Sequence, residues 1–260
     1  MDGPTPTRFR EPHAARRERT PRTAIITGAS AGLGRALARL LAHHGWRLVI
    51  DARRAEPLAA VQHELAQLTD VVAVRGDVAD RDHRTALVSA AAGPIDLLIN
   101  NASDLGASPL PALRELTSTA RHRLWQVNVD APLELIQLTL PILTPGAVVI
   151  NISSDAAVEH YENWGGYGAT KAALDHLTLT LAAEEPQFRF YAVDPSDMRT
   201  ELHQAAFPGE DISDRPEPES VAPRLIALSR SGMPSGRYRA VDLPDPPTTR
   251  SSVDLEPSHS

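Results

Sequence analysis

The sequence predicts an α/β fold in which about seven strands form a doubly wound parallel sheet between two layers of helices. Three observations indicate this fold. Short apolar runs such as 23–27, 47–51 and 95–100 alternate with longer segments of helical spacing. The middle residues of these runs, 24–26, 48–50 and 97–99, are consecutively apolar, as expected of strands that are covered on both faces. A glycine-rich stretch, TGASAGLG, occupies 27–34 directly after the first run.

The elements alternate along the chain. Strands are expected at 23–27, 47–51, 71–74, 95–100, 147–152, 188–193 and 238–241. Helices are expected at 32–44, 55–68, 82–91, 166–184 and 220–229, with two more inside 118–140. The two helices inside 118–140 are expected to join near Pro132, and Gly45 is a suitable C-terminal cap for the first helix. Right-handed crossovers would bring the carboxyl ends of the strands, where ligands bind, to one edge of the sheet.

Length and composition fit one globular domain with flexible ends. The 260 residues are 42% hydrophobic, which is enough for a large core. Residues 22–241 are predicted to form a single domain, because there is no internal repeat and no second core. Residues 1–21, rich in arginine and proline, are expected to be a flexible arm, although their arginines could contact an anionic surface. Residues 242–260 are expected to be a flexible tail.

Charge and cysteine content exclude several classes of function. The chain has 26 Lys and Arg against 33 Asp and Glu, a formal net charge of −7, which disfavours broad nucleic-acid binding. It has no cysteine, and therefore no disulfide, thiolate metal site or cysteine nucleophile. The histidines show no metal-ligand spacing, so no metal is expected. Without a membrane-length apolar run or a signal-peptide core, the protein is expected to be cytoplasmic.

The glycine-rich stretch predicts a phosphate-binding turn. Gly28 permits the tight turn, Gly32 lets the backbone approach a ligand, and Gly34 lets the following helix pack against the strand. Free N–H groups at the start of this helix, with the Ser30 hydroxyl and the neighbouring Leu33, would bind the pyrophosphate of a dinucleotide. A packing turn without a ligand is the alternative interpretation.

Five further motifs follow the glycine turn in order. They are Gly76-Asp77-Val78, Asn100-Asn101-Ala102, Asn128, Asn151-Ile152-Ser153-Ser154 and Tyr167-Gly168-Ala169-Thr170-Lys171. Together with TGASAGLG, the ordered set resembles the short-chain dehydrogenase/reductase family over roughly 23–200. The resemblance implies a Rossmann-type fold, a nicotinamide cofactor, and hydride transfer between that cofactor and a carbonyl or secondary alcohol.

The resemblance also suggests the cofactor contacts. Asp77 and Val78 resemble residues that hold the adenine ring, and Asn101 resembles one that lines the inner ribose. A helix cap for Asp77 and a turn for Asn101 are the structural alternatives. Pro195, Met198 and Thr200 match the family's turn that contacts the carboxamide of the nicotinamide. Ser103 and Ser196 each replace a glycine of the family pattern, and a positive φ at Ser196 would strain the backbone.

The end of the second strand bears on which nicotinamide cofactor binds. The family's acidic, ribose-binding position falls on Ala52, and the adjacent Arg53 can pair with a 2′-phosphate, which favours NADP. Two features favour NAD instead. Ala31 occupies a position where many NADP-preferring relatives carry a basic residue, and Asp51 could reach the ribose. NADP is therefore the expected cofactor and NAD the alternative.

Tyr167 and Lys171 are four residues apart, on one face of a predicted helix. The resemblance makes Tyr167 the general acid in carbonyl reduction and the base in alcohol oxidation, with its pKa lowered by Lys171 and the oxidised nicotinamide. Lys171 would also hold the nicotinamide ribose. Ser154, favoured over Ser153 by its spacing to Tyr167, would donate to the substrate oxygen. Asn128 would hold a water that supplies protons to Lys171.

The loop after the serine pair is expected to overhang the nicotinamide. Trp164 and Tyr161 would form walls of the substrate pocket, while a solvated loop is the alternative. Three carboxylates in or near the loop would favour a polyhydroxy or amine-bearing substrate: Glu159, Glu162 and Asp104.

Two further segments bear on the lid and on assembly. The proline-rich, acidic segment 201–219 resembles the family's mobile lid over the substrate. Apolar helices around 133–143 and 172–181 resemble surfaces that relatives use to form homodimers or homotetramers.

The leading interpretation is an NADP-dependent oxidoreductase acting on a small carbonyl or alcohol, with no nucleic-acid or membrane partner. The alternative is a regulatory protein of the same fold that binds NAD(P) without turnover. Hydride transfer to a C=N or C=C bond is a third possibility.

Overall fold

A computed structural model describes residues 21–245 of the chain. The predicted arm, except for residue 21, and the predicted tail beyond residue 245 lie outside the described residues. The strands are β1 (Thr23–Ile26), β2 (Arg47–Ala52), β3 (Val71–Arg75), β4 (Ile95–Asn100), β5 (Leu143–Ile152), β6 (Arg189–Asp194) and β7 (Gly236–Arg239). They form one parallel sheet in the order β3-β2-β1-β4-β5-β6-β7. The predicted doubly wound α/β fold is confirmed.

The helices alternate with the strands along the chain. They are α1 (Gly32–His43), α2 (Ala55–Leu65), α3 (Arg81–Ser89), α4 (Ser118–Trp125), α5 (Ala131–Thr139), α6 (Gly165–Glu184), α7 (Glu201–Ala206) and α8 (Pro218–Ser231). The sequence did not indicate α7, which lies inside the expected lid segment. The prediction for β7 was two residues too late, because its ladder with β6 runs from Gly236 to Arg239.

The strand order reverses at β1, which pairs with β2 on one side and β4 on the other. A crevice opens at such a point, beyond the carboxyl ends of the two central strands. The glycine turn follows β1, and Asn101 follows β4 at the same edge. A Cβ added to Gly28 would lie 3.0 Å from Ala102 Cα, so the two loops are in close contact. The crevice therefore lies between the glycine turn and the loop after β4.

Alternate strand residues point into two separate cores. Ile26 and Ile50 pack with Leu37 of α1 on one face of the sheet. Ile25 and Val49 pack on the opposite face, with helices that include α3 and α5. Because both faces are covered, the central strands β1 and β4 are buried at nearly every position, which explains the consecutive apolar residues at their middles.

Helices α4 and α5 are joined by a π-helical turn at Gln126–Asp130. The N–H of Ala131 donates to the carbonyl of Gln126, five residues earlier. Pro132 has no N–H and cannot donate to the carbonyl of Asn128, so the α-helical ladder is interrupted there. The junction was expected near Pro132, and its proline is the physical reason for it. The turn carries Asn128 to the edge of the crevice.

Candidate active site

A cavity of about 500 Å³ lies at the carboxyl ends of the strands, in the crevice at the strand-order reversal. It extends from the glycine turn to Tyr167 and Lys171 on α6. The predicted cofactor, catalytic and substrate residues line this cavity, with three exceptions: Gly34, Asn128 and Tyr161. The fold therefore brings together residues that are spread over more than 170 positions of the sequence.

The glycine turn has the backbone geometry that the sequence predicted. Gly28 and Gly32 have positive φ values of 66° and 52°. A Cβ on Gly34 would lie 2.4 Å from the carbonyl oxygen of Gly28, so only glycine lets α1 pack this closely. Ala31, at the N-cap of α1, offers no side-chain acceptor to the first N–H groups of the helix. These N–H groups can instead bind an anionic ligand.

Asp51 supports the turn from inside the protein. It is 1% exposed, and its Oδ1 accepts a hydrogen bond of 2.7 Å from the N–H of Gly28. Its Oδ2 lies 2.8 Å from Nε2 of the buried His83. Gly76 leaves room for this histidine, because a Cβ there would lie 2.1 Å from His83 Nδ1. Asp51 is thus used within the protein and does not reach out toward a ribose, contrary to the alternative that the sequence left open.

Arg123 links the adenine end of the cavity to the loop after β4. Its Nη1 lies 2.9 Å from Asp77 Oδ2, and its Nε donates to Asp104 Oδ2 at 3.0 Å. Arg53 Nη1 also approaches Asp104, at 3.5 Å. Asp104 was expected to favour a polyhydroxy or amine-bearing substrate, but its carboxylate is already paired with two guanidinium groups.

Tyr167 lies in the wall of the cavity and is 6% exposed. Burial raises the pKa of its phenol to about 12, and the charges of Asp155 and Asp194 act in the same direction. Hydrogen bonding with the hydroxyls of Ser103 and Ser154 acts in the opposite direction. In the protein alone the pKa of Tyr167 is therefore raised, whereas the sequence predicted a lowered value in the presence of the nicotinamide charge.

Lys171 is also buried, at 2% exposure. Burial lowers the pKa of its ammonium to about 8, and the carboxylate of Asp175 opposes this shift. Nζ donates to the carbonyl of Ile152 at 2.7 Å and lies 5.5 Å from the centre of the Tyr167 ring. The ammonium thus faces the ring and the end of β5.

Ser153 and Ser154 differ in their surroundings. Ser154 Oγ donates to Asp155 Oδ1 at 2.9 Å and accepts from the N–H of Ala156 at 3.1 Å. Ser153 is 2% exposed, and its Oγ has no hydrogen-bond partner among residues 21–245. Both residues line the cavity, but Ser154 is the one whose hydroxyl acts on Tyr167.

Asn128 is fully buried and connects the loop after β4 to α6. Its Oδ1 accepts from Ser103 Oγ at 3.1 Å and from the N–H of Asp104 at 3.0 Å. Its Nδ2 donates to Thr170 Oγ1 at 3.0 Å and to the carbonyl of Asp104 at 2.9 Å. Asn128 therefore positions Ser103 next to Tyr167, while its expected role in holding a water stays a prediction.

Arg237, on the edge strand β7, contacts two residues near the site. Its Nε donates to Asp175 Oδ2 at 2.7 Å, and its Nη2 donates to the carbonyl of Ser154 at 2.9 Å. The guanidinium thereby fixes the backbone of Ser154 and forms an ion pair with the carboxylate of Asp175. No sequence motif pointed to this residue, because it lies 83 positions after Ser154.

Comparison with known proteins agrees with this geometry. The family model described as short chain dehydrogenase matches residues 22–211. The chain belongs to the short-chain dehydrogenase/reductase family. L-xylulose reductase from Bos taurus is 31% identical over 238 residues, which cover 85% of this chain and 95% of that protein. Membership makes this protein an oxidoreductase with an NAD(P)-binding fold.

Two solved structures extend the similarity. A putative short chain dehydrogenase from Pseudomonas syringae has a TM-score of 0.78 at 28% identity, covering 84% of this chain and 94% of that one. An alcohol dehydrogenase from Thermococcus sibiricus, complexed with 5-hydroxy-NADP, has a TM-score of 0.76 at 25% identity. The alignment with this alcohol dehydrogenase covers 85% of this chain and 96% of that one.

This short-chain dehydrogenase departs from the family pattern at Ser196. Its φ is +64°, so the strain expected for a serine in place of glycine is present. The carboxylate of Asp194 accepts from the N–H of Ser196 at 2.9 Å and holds the turn in this conformation. Ser196 Oγ and Ser153 Oγ both lack partners among the described residues, and both residues line the cavity. These two hydroxyls and the free N–H groups of the glycine turn can hydrogen-bond to a polar dinucleotide.

The loop over the cavity differs in part from the prediction. Trp164 lines the cavity, as expected. Tyr161 does not: it is 47% exposed, its hydroxyl donates to Asp155 Oδ2 at 2.9 Å, and its ring lies edge-on to Trp164. Glu159 and Glu162 are exposed and do not line the cavity either. The predictions for these three residues were wrong, because the loop turns them outward and places Asp155 inward instead.

Among residues 21–245, no cluster of three His, Asp or Glu side chains is placed to hold a metal ion. In the same part of the chain, no helix is long and apolar enough to cross a bilayer.

Proposed function

We propose that this protein transfers a hydride between NADP(H) and a carbonyl or secondary alcohol, with Tyr167 as general acid and base. The observation that carries the proposal is the meeting of Ser154, Tyr167 and Lys171 with the glycine turn around one cavity. The similarity to L-xylulose reductase and to an alcohol dehydrogenase supports this substrate class.

The choice of NADP is supported by the charges around the end of β2. Arg53 is 61% exposed at the cavity, and it shares a shallow pocket with Arg75, Gly76 and Asp77. Two guanidinium groups can pair with a 2′-phosphate. Arg75 would replace the second basic group that is missing at Ala31. The similarity to a structure complexed with 5-hydroxy-NADP agrees with this choice.

The cavity residues divide the binding of the cofactor among them. N–H groups of the glycine turn and the Ser30 hydroxyl would hold the pyrophosphate, and Asp77 and Val78 the adenine. Asn101 would line the inner ribose, and Lys171 would hold the nicotinamide ribose. The turn after β6 would contact the carboxamide. When bound, the nicotinamide supplies or accepts the hydride.

In the reduction direction, Tyr167 gives its proton to the oxygen of the substrate. With a pKa of about 12 the phenol is protonated at neutral pH, which is the form that a general acid requires. The Ser154 hydroxyl would turn its one proton from Asp155 Oδ1 to the same oxygen and stabilise the negative charge that develops there. Arg237 holds the carbonyl of Ser154 and keeps this donor in place.

Replacing Tyr167 by Phe tests the catalytic role. We expect kcat/KM for a carbonyl panel to fall at least about a hundredfold, because the proton donor is removed. NADPH affinity, measured by fluorescence titration, should stay within about twofold, since the ring still fills its place. Tyr238→Phe, on the other side of the sheet, is the matched control. Turnover retained in Tyr167→Phe would refute the role, and wild-type binding without any turnover would favour the regulatory alternative.

Arg53→Ala tests the choice of cofactor. We expect kcat/KM for NADPH to fall about ten- to a hundredfold, because a charge-assisted contact is lost, with little change for NADH. Arg114→Ala, at an exposed arginine that does not line the cavity, is the matched control. A wild-type enzyme with the higher kcat/KM for NADH would contradict the NADP assignment.

A further inference from the structure

Asp155 is a carboxylate in the cavity, directly beside the proposed oxyanion donor. Its Oδ1 accepts from Ser154 Oγ at 2.9 Å and from the N–H of Ala156 at 2.8 Å, while its Oδ2 accepts from Tyr161 Oη. All three donors are neutral. Among the ion pairs of residues 21–245, none includes Asp155. Its negative charge is therefore hydrogen-bonded but not compensated.

The other acidic residues near this end of the cavity have cationic neighbours. Asp104 lies 3.0 Å from Arg123, and Asp194 lies 3.9 Å from both Arg237 and Arg239. Asp197 lies 3.6 Å from Arg215 and 3.7 Å from His203. Asp155 is thus the carboxylate for which this part of the protein supplies no counter-charge.

An uncompensated carboxylate at this position opposes the proposed reaction on a neutral ketone. Reduction builds negative charge on the oxygen between Ser154 and Tyr167, and a second negative charge nearby disfavours that change. A cation on the substrate would cancel the charge of Asp155 as the reaction proceeds. An anionic substrate would be repelled in both its ground and transition states.

An aromatic side chain lines the same cavity as this carboxylate. Trp164 lines the cavity, and its ring centre lies 5.8 Å from that of Tyr167 and 5.7 Å from that of Phe207. The faces of aromatic rings attract alkylammonium groups. Leu105 and Ala206, which also line the cavity, offer apolar contacts to alkyl substituents on the nitrogen.

We propose that the substrate carries an alkylammonium group near its reacting carbon, and that Asp155 and Trp164 recognise this group. The proposal rests on the proposed oxidoreductase function. Since Asp155 Oδ1 lies 2.9 Å from Ser154 Oγ, which would hold the substrate oxygen, the nitrogen would be about two or three bonds from the carbonyl carbon. The amine-bearing substrate class expected from the loop sequence is kept, with a different carboxylate as its partner.

A charged ketone and its neutral isostere test the proposal by turnover. The pair is acetonyltrimethylammonium and neopentyl methyl ketone, which differ in one atom and in charge. We expect kcat/KM of the wild type to favour the cation at least about tenfold. Asp155→Asn should bring the ratio close to one, mainly by lowering the value for the cation. Glu159→Gln, which removes an exposed carboxylate from the same loop, should leave the ratio unchanged.

Binding provides a second measurement that does not depend on turnover. Calorimetry with the NADPH-loaded protein would compare β-methylcholine, the alcohol of the charged ketone, with its neutral isostere. We expect the wild type to bind β-methylcholine at least about tenfold more tightly, and Asp155→Asn and Trp164→Leu to lose most of this preference. Both measurements compare a charged molecule with its neutral isostere. A variant that only disturbs the Ser154 turn would lower kcat/KM or affinity equally for the two molecules and leave the ratio unchanged.

The possible failures are distinguishable. Equal wild-type values for the charged and neutral members, or a ratio that survives in Asp155→Asn, would overturn the alkylammonium proposal while leaving the oxidoreductase intact. Binding of β-methylcholine that depends on Asp155, without turnover of either ketone, would support the amine site and count against the proposed hydride transfer.

Discussion

Lys171 shows how burial sets the charge of a single residue in this site. Its ammonium lies at 2% exposure, with the carbonyl of Ile152 as its hydrogen-bond acceptor. Burial lowers its pKa to about 8 from an ordinary value of 10.5. At neutral pH the group is therefore still mostly protonated, but it is close enough to titration to exchange protons.

Lys171→Met should change how stability depends on pH. Between pH 8 and pH 10.5 the unfolded chain binds more protons at this residue than the folded protein does. The free energy of unfolding of the wild type should therefore rise with pH across this window relative to Lys171→Met, by about 3 kcal/mol in total. Urea titrations at several pH values would measure the difference, and parallel curves for the two proteins would contradict the lowered pKa.

At the scale of elements, Gly34 allows α1 to pack closely against the glycine turn. A Cβ there would lie 2.4 Å from the carbonyl oxygen of Gly28 and 2.5 Å from Asn101 Nδ2. Both atoms belong to the loops that form the crevice. A change at this one position therefore acts on both sides of the cofactor site, although the residue does not line the cavity.

Gly34→Ala should weaken cofactor binding and destabilise the fold. The added methyl group would push α1 away from the turn, at a cost of about 1–3 kcal/mol in stability. Chemical unfolding and a fluorescence titration with NADPH would measure the two effects. Gly93→Ala is the matched control, because nothing lies within 4 Å of a Cβ at that position. Unchanged NADPH affinity in Gly34→Ala would contradict the close packing.

The helices and strands could be predicted from the sequence largely because each has its own local pattern. The strand at 95–100 was predicted with its observed bounds, since its middle residues 97–99 are consecutively apolar and buried. The junction near Pro132 was predictable because a proline interrupts a helix wherever it falls in the interior. The bounds of β7 were less predictable, because they depend on pairing with Asp194 and its neighbours in β6.

The candidate site was predictable where its residues belong to short motifs, as Tyr167 and Lys171 do. Its supporting contacts were not, because each joins residues far apart in the chain. Asp51 and His83 are 32 positions apart, and the partner of Arg237 lies 62 positions before it. No periodicity encodes such pairs. The inward direction of Asp155 likewise depends on the path of the loop.

At the scale of the whole molecule, the outer face of α6 carries apolar residues that are open to solvent. The exposed residues of this helix are Ala169, Ala172, His176, Leu179, Thr180, Ala183 and Glu184, and four of these seven are apolar. Leu179 is 44% exposed, and Leu138 on α5 is 37% exposed. Apolar surface of this kind is typically covered by a partner. A second copy of the chain is the partner that we expect here, in a homodimer or homotetramer.

Leu179→Glu should shift the assembly toward smaller species, because it would bury a charge in the expected interface. Light scattering coupled to size exclusion would measure the mass. Leu68→Glu, at a residue that is 45% exposed just beyond α2, is the matched control and should leave the mass unchanged. A monomeric wild type would contradict the expectation.

Arg237 belongs to the last strand, yet it fixes the carbonyl of Ser154 and the carboxylate of Asp175. During translation, the glycine turn and α6 emerge from the ribosome long before this arginine does. A nascent chain could therefore fold around a nucleotide while its serine donor is still unanchored. The proposed donation by Ser154 would lack this anchor until β7 is made, which would link the onset of activity to completion of the sheet.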